Sequence, residues 1–86
     1  MLERRVTVAI AEGLHARPAA MFAKLAGEQS AKVTIGKVGG EQVATDSILG
    51  VMTLGAGFGD VVLLQADDEG AAEALAVLAE YLATED

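Results

Sequence analysis

The 86-residue sequence contains no cysteine and only one histidine, His15. Without cysteine there is no disulfide framework, no thiolate nucleophile and no cysteine-based zinc site. A single imidazole also excludes a multi-histidine metal site. We therefore expect no metal ion and no cofactor, and any histidine chemistry has to take place at His15.

Basic and aromatic residues are also scarce. The six Lys and Arg residues are outnumbered by thirteen Asp and Glu residues, and there are only two Phe, one Tyr and no Trp. A net charge of −7 repels phosphate backbones, and few rings are available for base stacking, so nucleic acid is not an expected partner. The acidity lies in residues 60–86, which contain no Lys or Arg, and it is typical of a solvated helix face.

Long hydrophobic runs are missing as well. No apolar run approaches the ~20 residues that span a bilayer, and the first residues, MLERR, lead into no signal-peptide core. We expect a cytoplasmic protein without membrane insertion. The length predicts one domain over residues 1–86, with one modest core and no deep catalytic cavity.

Four segments have the pattern of β-strands. In the first, Val6, Val8 and Ile10 alternate with less apolar residues, as in a half-buried strand. The Gly-Gly pair at 39–40 indicates a hairpin between the second and third segments. The predicted strands cover residues 5–10, 32–38, 41–44 and 60–66.

Three segments have helical patterns: residues 16–26, residues 48–54, and a last segment that runs to about Ala83. Pro18 suits a first helical turn and Gly27 a helix end. Residues 45–47 (TDS) offer caps for the short second helix, and Asp67 and Asp68 offer caps for the third. The first helix has one apolar stripe, and the last helix has an expected buried stripe. They are Pro18, Met21, Phe22 and Leu25 on the first helix, and Ala71, Leu75, Leu78 and Leu82 on the last.

The element order β-α-β-β-α-β-α favours an α+β fold in which helices cover one face of a four-stranded sheet. Residues 55–59 (GAGFG) have the glycine content of a phosphate-binding loop. They follow a helix and precede a strand, however, which is the reverse of the nucleotide-binding context, so we interpret them as a structural loop.

The segment with the most chemical content is residues 13–18, GLHARP. It places His15 directly before a helix whose first residues include Arg17. Unpaired backbone N–H groups at a helix N-terminus favour anions, a guanidinium suits phosphate oxygens, and a neutral imidazole is nucleophilic near pH 7. From the residues alone, two interpretations stay open: a surface histidine without a role, or a histidine that bears a phosphoryl group.

Two motifs make the sequence resemble the HPr family, the histidine phosphocarriers of the bacterial phosphoenolpyruvate:sugar phosphotransferase system. They are GLHARPAA at 13–20 and SILGVMTLGAGFGD at 47–60, and the length and element order agree over essentially the whole chain. The resemblance implies an open-faced β-sandwich with four antiparallel strands and three helices on one face.

The resemblance also implies roles for individual residues. His15 matches the histidine that carries phosphate on Nδ1, and Arg17 matches the arginine that holds the phosphate oxygens, with backbone N–H groups from Ala16 and Arg17. Enzyme I, charged by phosphoenolpyruvate, would donate the phosphoryl group, and sugar-specific A-type components would accept it. The protein would be a stoichiometric carrier rather than a stand-alone enzyme, and we expect a monomer.

Ser47 matches the family's regulatory serine, which in some bacteria an ATP-dependent serine kinase phosphorylates to give a catabolite co-repressor that partners a transcription regulator. A cap on the second helix explains a serine here equally well, and Asp46 stands where the family often has a basic residue, so that an added phosphate would meet like charge. We favour the cap. A regulatory binding module acting through this helix is the alternative function.

The short second helix contains more apolar residues than it can bury. We therefore expect some of them to lie exposed near His15 as a docking surface for partners, although core packing accounts for others. The candidate docking residues are Ile48, Leu49 and Met52, with Met21 and Lys24 on the first helix.

Overall fold

The computed structural model describes residues 1–67 and 69–84. It has the predicted order of seven elements, with helices on one face of an open antiparallel sheet. No helix in these two ranges is long and apolar enough to cross a membrane. The elements are β1 (Leu2–Thr7), α1 (Ala16–Gly27), β2 (Val33–Lys37), β3 (Val43–Ala44), α2 (Ile48–Thr53), β4 (Val61–Ala66) and α3 (Ala71–Ala83).

The sheet has the strand order β1-β4-β2-β3, so the last strand in the sequence lies inside it. On one side, β4 pairs with β1 from Leu2↔Ala66 to Thr7↔Val61. On its other side it pairs with β2 from Val33↔Ala66 to Lys37↔Val62. Val62 and Leu64 are fully buried beneath the helices, whereas Val61 on the opposite face is 42% exposed, as in an antiparallel sheet with one covered face.

The prediction for β1 was wrong in its bounds. Val8 and Ile10 are buried as expected, but they lie beyond the end of the strand. The ladder stops at Thr7 because its partner strand begins at Val61. Beyond Thr7, two individual hydrogen bonds connect the chain to the residues just before β4. The Val8 N–H donates to the Asp60 carbonyl (2.9 Å), and the Val8 carbonyl accepts from the Gly59 N–H (2.8 Å).

The third strand is shorter than predicted, covering Val43–Ala44 instead of residues 41–44. At Gln42 the side chain, rather than the backbone, meets the neighbouring strands. Its Oε1 accepts from the Thr34 hydroxyl (2.8 Å) and its Nε2 donates to the Leu63 carbonyl (3.3 Å). The backbone ladder with β2 begins at the next residue, with the pair Ile35↔Val43.

The first helix begins and ends close to the prediction, and its buried face follows the apolar stripe only in part. Within that stripe Pro18 and Phe22 are buried, whereas Met21 is 49% exposed. Phe22 is fully buried, and small residues complete the inward face. Because alanines allow close approach, the helix is turned so that they face the core. The buried residues of α1 are Pro18, Ala19, Phe22, Ala23 and Ala26.

The last helix buries the predicted stripe together with Ala74 and Ala79. The predicted cap at Asp67 was wrong. Gly70 occupies the cap position, with φ +87°, and Asp67 instead lies 3.5 Å from the N-terminal amine of Met1. The expected cap at Asp68 lies outside the described residues.

Candidate functional site

His15 is the residue immediately before α1, with extended backbone angles (φ −79°, ψ −173°). The residue is exposed, and its side chain makes no capping hydrogen bond to the helix. The strand-to-helix connection thus presents the imidazole to solvent at the start of a twelve-residue helix.

The first turn of α1 leaves backbone donors free beside His15. The first intrahelical bond runs from the Ala19 N–H to the His15 carbonyl (2.8 Å), and Pro18 has no N–H. Among residues 1–67 and 69–84, the N–H groups of Ala16 and Arg17 have no acceptor. No acidic residue lies in this turn, so no carboxylate of the helix competes with an incoming anion.

Arg17 adds a cation at the same helix end. The residue is exposed, and within the described part of the chain its guanidinium makes no ion pair. Its planar set of donors therefore remains available for a ligand with several oxygens.

The residues just before His15 contact a segment that is distant in the sequence. Gly13 has φ +71°, and a Cβ built there would lie 2.8 Å from both the Ala56 carbonyl oxygen and the Gly57 Cα. The next residue, Leu14, is buried, and its N–H donates to the Ala56 carbonyl (2.9 Å). Only glycine permits this close backbone contact, so the loop after α2 packs directly against residues 8–15, the connection between β1 and α1 that we call the histidine loop.

The segment 55–59 is therefore a structural loop, and it packs against the residues just before His15. The sequence did contain one signal. Glycine stands at 13 and again at 55, 57 and 59, and glycine is typical where two backbones approach each other. The pairing of the two segments depends on the tertiary fold, so sequence spacing did not indicate it.

Ser47 is the N-cap of α2. The residue is exposed, and its hydroxyl oxygen accepts from the Gly50 N–H at 3.1 Å, which confirms the predicted cap. This geometry accounts for a serine at the position without reference to any modification.

The apolar residues of α2 divide into one buried residue and an exposed group. Val51 is fully buried, whereas Leu49 is 75% exposed. We call Ile48, Leu49 and Met52 the α2 surface. On α1, which packs against α2, Met21 and Lys24 are also exposed.

No group of three or more histidine, aspartate or glutamate side chains within the described ranges is arranged to hold a metal ion. The polar groups at the start of α1 are instead two amide donors, a guanidinium and one imidazole. Such a set can bind a tetrahedral oxyanion while offering one ring nitrogen as its point of attachment.

Comparison with known proteins gives consistent matches over the whole chain. The family model described as the PTS HPr component phosphorylation site matches residues 2–84. The phosphocarrier protein HPr of Streptomyces coelicolor is 48% identical over 83 residues, covering 96% of this chain and 89% of that protein.

Two solved structures give similar agreement. The crystal structure of HPr from Bacillus anthracis is 38% identical, with a TM-score of 0.89, and covers 94% of this chain and 95% of its own. The crystal structure of Crh from Bacillus subtilis, a catabolite repression protein that forms a swapped dimer, is 37% identical with a TM-score of 0.71. It covers 100% of this chain and 98% of its own.

Proposed function

The chain belongs to the HPr family of phosphocarrier proteins of the phosphotransferase system, and we propose that it carries a phosphoryl group on His15. Enzyme I donates the group and sugar-specific A-type components accept it. The observation that carries the proposal is the exposed His15 next to the N–H groups of Ala16 and Arg17 and the Arg17 guanidinium, none of which has a partner in residues 1–67 and 69–84.

Phosphoryl transfer requires only a nucleophile and a few stabilising groups from the carrier itself. The Nδ1 lone pair of His15 attacks phosphorus, an N–P bond forms, and the bond from phosphorus to enzyme I breaks. The transferring group spreads negative charge over its three oxygens, so positioning and electrostatic stabilisation contribute most to the rate. The N–H groups of Ala16 and Arg17 and the Arg17 guanidinium supply that stabilisation. In the second transfer a nucleophile of the acceptor protein attacks phosphorus, the N–P bond breaks, and the lone pair returns to Nδ1 of His15.

The partners dock on the α2 surface together with Met21 and Lys24. Exposed apolar side chains let one small carrier dock on different proteins and present the same phosphoryl group to each. We propose a monomeric, single-domain carrier in the cytoplasm. Sedimentation at micromolar concentration tests the monomer, and a stable dimer like that of Crh would contradict it.

The central experiment is phosphorylation with labelled phosphoenolpyruvate and enzyme I. We expect an acid-labile, base-stable label on the wild-type chain, and none on His15→Ala. Circular dichroism of His15→Ala checks that the variant is folded. A label that persists in His15→Ala would overturn the assignment.

Arg17 is tested by rapid-quench kinetics. We expect Arg17→Ala to slow transfer about 10²-fold, the scale observed when an electrostatic stabiliser of a transition state is removed. Arg17→Lys is the matched control, since it keeps the charge and loses the planar donor set. Its transfer rate should lie between those of the wild type and Arg17→Ala. Wild-type rates in Arg17→Ala would remove Arg17 from the site.

A regulatory binding module that acts through α2 is the second candidate function. It is supported by the exposed Ser47 at the start of an apolar helix and by the 37% identity to Crh. The two functions differ in what they require. A phosphocarrier loses its activity in His15→Ala, whereas a module that binds through α2 keeps its affinity. Mass spectrometry after incubation with an HPr serine kinase and ATP shows whether Ser47 takes a phosphate.

A further inference from the structure

Residues 57–60 form a tight turn that Asp60 closes with its own side chain. The Gly57 N–H donates to the Asp60 Oδ2 (2.8 Å), and the Asp60 N–H donates to the Gly57 carbonyl (3.0 Å). Gly59 has φ +88° in this turn, where glycine is favoured. The carboxylate and the backbone together hold the turn in one conformation.

The same turn lies between the sheet and the histidine loop. On the sheet side, the Asp60 carbonyl accepts from the Val8 N–H (2.9 Å). On the other side, the Ala56 carbonyl accepts from the Leu14 N–H (2.9 Å), and the Gly57 Cα occupies the space where a Cβ on Gly13 would lie. The position of the backbone just before His15 therefore depends on the position of residues 56 and 57.

We propose that Asp60 is a positioning residue for phosphoryl transfer, through its hydrogen bond to the Gly57 N–H. This inference rests on the proposed function of His15. Asp60 acts on the turn, the turn supports Gly13 and Leu14, and these residues set where His15 and the first N–H groups of α1 lie. Asp60 itself has no contact with His15 among the hydrogen bonds and ion pairs of the described residues.

The hydrogen-bond acceptor, rather than the negative charge, is the feature that matters. Lys37 Nζ lies 3.8 Å from the Asp60 Oδ2, but the two side chains are 47% and 45% exposed. Solvent screens an ion pair of this kind, so it contributes little. Asparagine keeps an oxygen that can accept from the Gly57 N–H, and alanine does not.

The test compares Asp60→Ala, Asp60→Asn and Lys37→Met in single-turnover transfer from saturating phospho-enzyme I. Affinity for enzyme I is measured separately by calorimetry. We expect Asp60→Ala to transfer about tenfold more slowly with unchanged affinity, because small misplacements of reacting groups cost rate rather than binding. Asp60→Asn should restore at least half of the wild-type rate, and Lys37→Met should match the wild type.

An NMR measurement separates positioning from general destabilisation. The amide signals of Leu14, Ala16 and Arg17 should shift in Asp60→Ala and return towards the wild type in Asp60→Asn, while those of α3 stay unchanged. If Asp60→Ala does not fold, Asp60→Leu takes its place, since leucine has a side chain of similar length but no hydrogen-bond acceptor and should slow transfer similarly.

The outcomes are distinct. A wild-type chain labelled on His15, together with wild-type rates in Asp60→Ala or Asp60→Leu, overturns the role of Asp60 and leaves the proposed function intact. Equal slowing in Asp60→Ala and Asp60→Asn also overturns it, because the hydrogen-bond acceptor would then not be the cause. If the wild-type chain takes no label on His15, the proposed function fails and this inference fails with it.

Discussion

The helices α2 and α3 are both rich in apolar residues, yet they place them in opposite environments. In α3, thirteen residues long, the leucines at 75, 78 and 82 are buried against the sheet and α1. In α2, six residues long, only Val51 is buried, and Leu49 is 75% exposed. The same composition therefore stabilises the fold in one helix and leaves apolar side chains exposed in the other.

Length explains much of this difference. A helix turns once every 3.6 residues, so a helix of less than two turns has room for few inward-facing positions. The longer α3 lies along β1 and β4 and presents its stripe repeatedly to the same core. The part of the apolar surface of α2 that stays exposed does not contribute to folding, which is why we connect it with docking.

The largest effect that separates the two helices is expected on stability. Leu78→Ala should lower the free energy of unfolding by about 3 kcal/mol, because it opens a cavity at a fully buried position. The matched change Leu49→Ala on α2 should cost less than about 0.5 kcal/mol. Urea denaturation measures both, and similar losses would remove the distinction between the helices.

The next largest effect is expected on binding to enzyme I, and here the substitution on α2 should be the one that matters. We expect Leu49→Ala to weaken binding to enzyme I about tenfold, as for an apolar contact at the centre of an interface. Val38→Ala is the control, since Val38 is 49% exposed but lies outside the α2 surface. Calorimetry measures both affinities, and an equal loss in both variants would speak against the α2 surface as the docking site.

The smallest effect concerns the start of α2. Ser47→Ala should cost about 1 kcal/mol of stability, because the Gly50 N–H loses its acceptor. Ser47→Asp keeps an acceptor and should retain that stability, but its charge next to Ile48 should weaken binding to enzyme I. Denaturation and calorimetry together test this separation; full affinity in Ser47→Asp would contradict it.

Local signals in the sequence predicted much of the fold. Pro18 and Gly27 indicated the first helix to within one residue, and Ser47 indicated the cap of the second. The misplaced elements depend on distant partners. The bounds of β1 follow from its register with β4, and its first residues carry no apolar alternation that could have indicated a strand.

The candidate site was predictable to a similar degree and for the same reason. His15 and Arg17 lie in one hexapeptide, so local sequence brings them to one helix end. The contact of Gly13 with residues 56 and 57 spans more than forty positions, and only the tertiary fold creates it. Spacing within one segment cannot predict such a contact.

The missing side chain of Gly13 also bears on when the site forms during synthesis. Ala56 and Gly57 fill the space left by that missing side chain, and the turn they belong to is completed at Asp60. A chain still being translated, with only its first fifty residues outside the ribosome, already contains His15 and Arg17 but lacks the backbone that supports them. The order of synthesis thus delays assembly of the site until the middle of the chain has emerged and folded back.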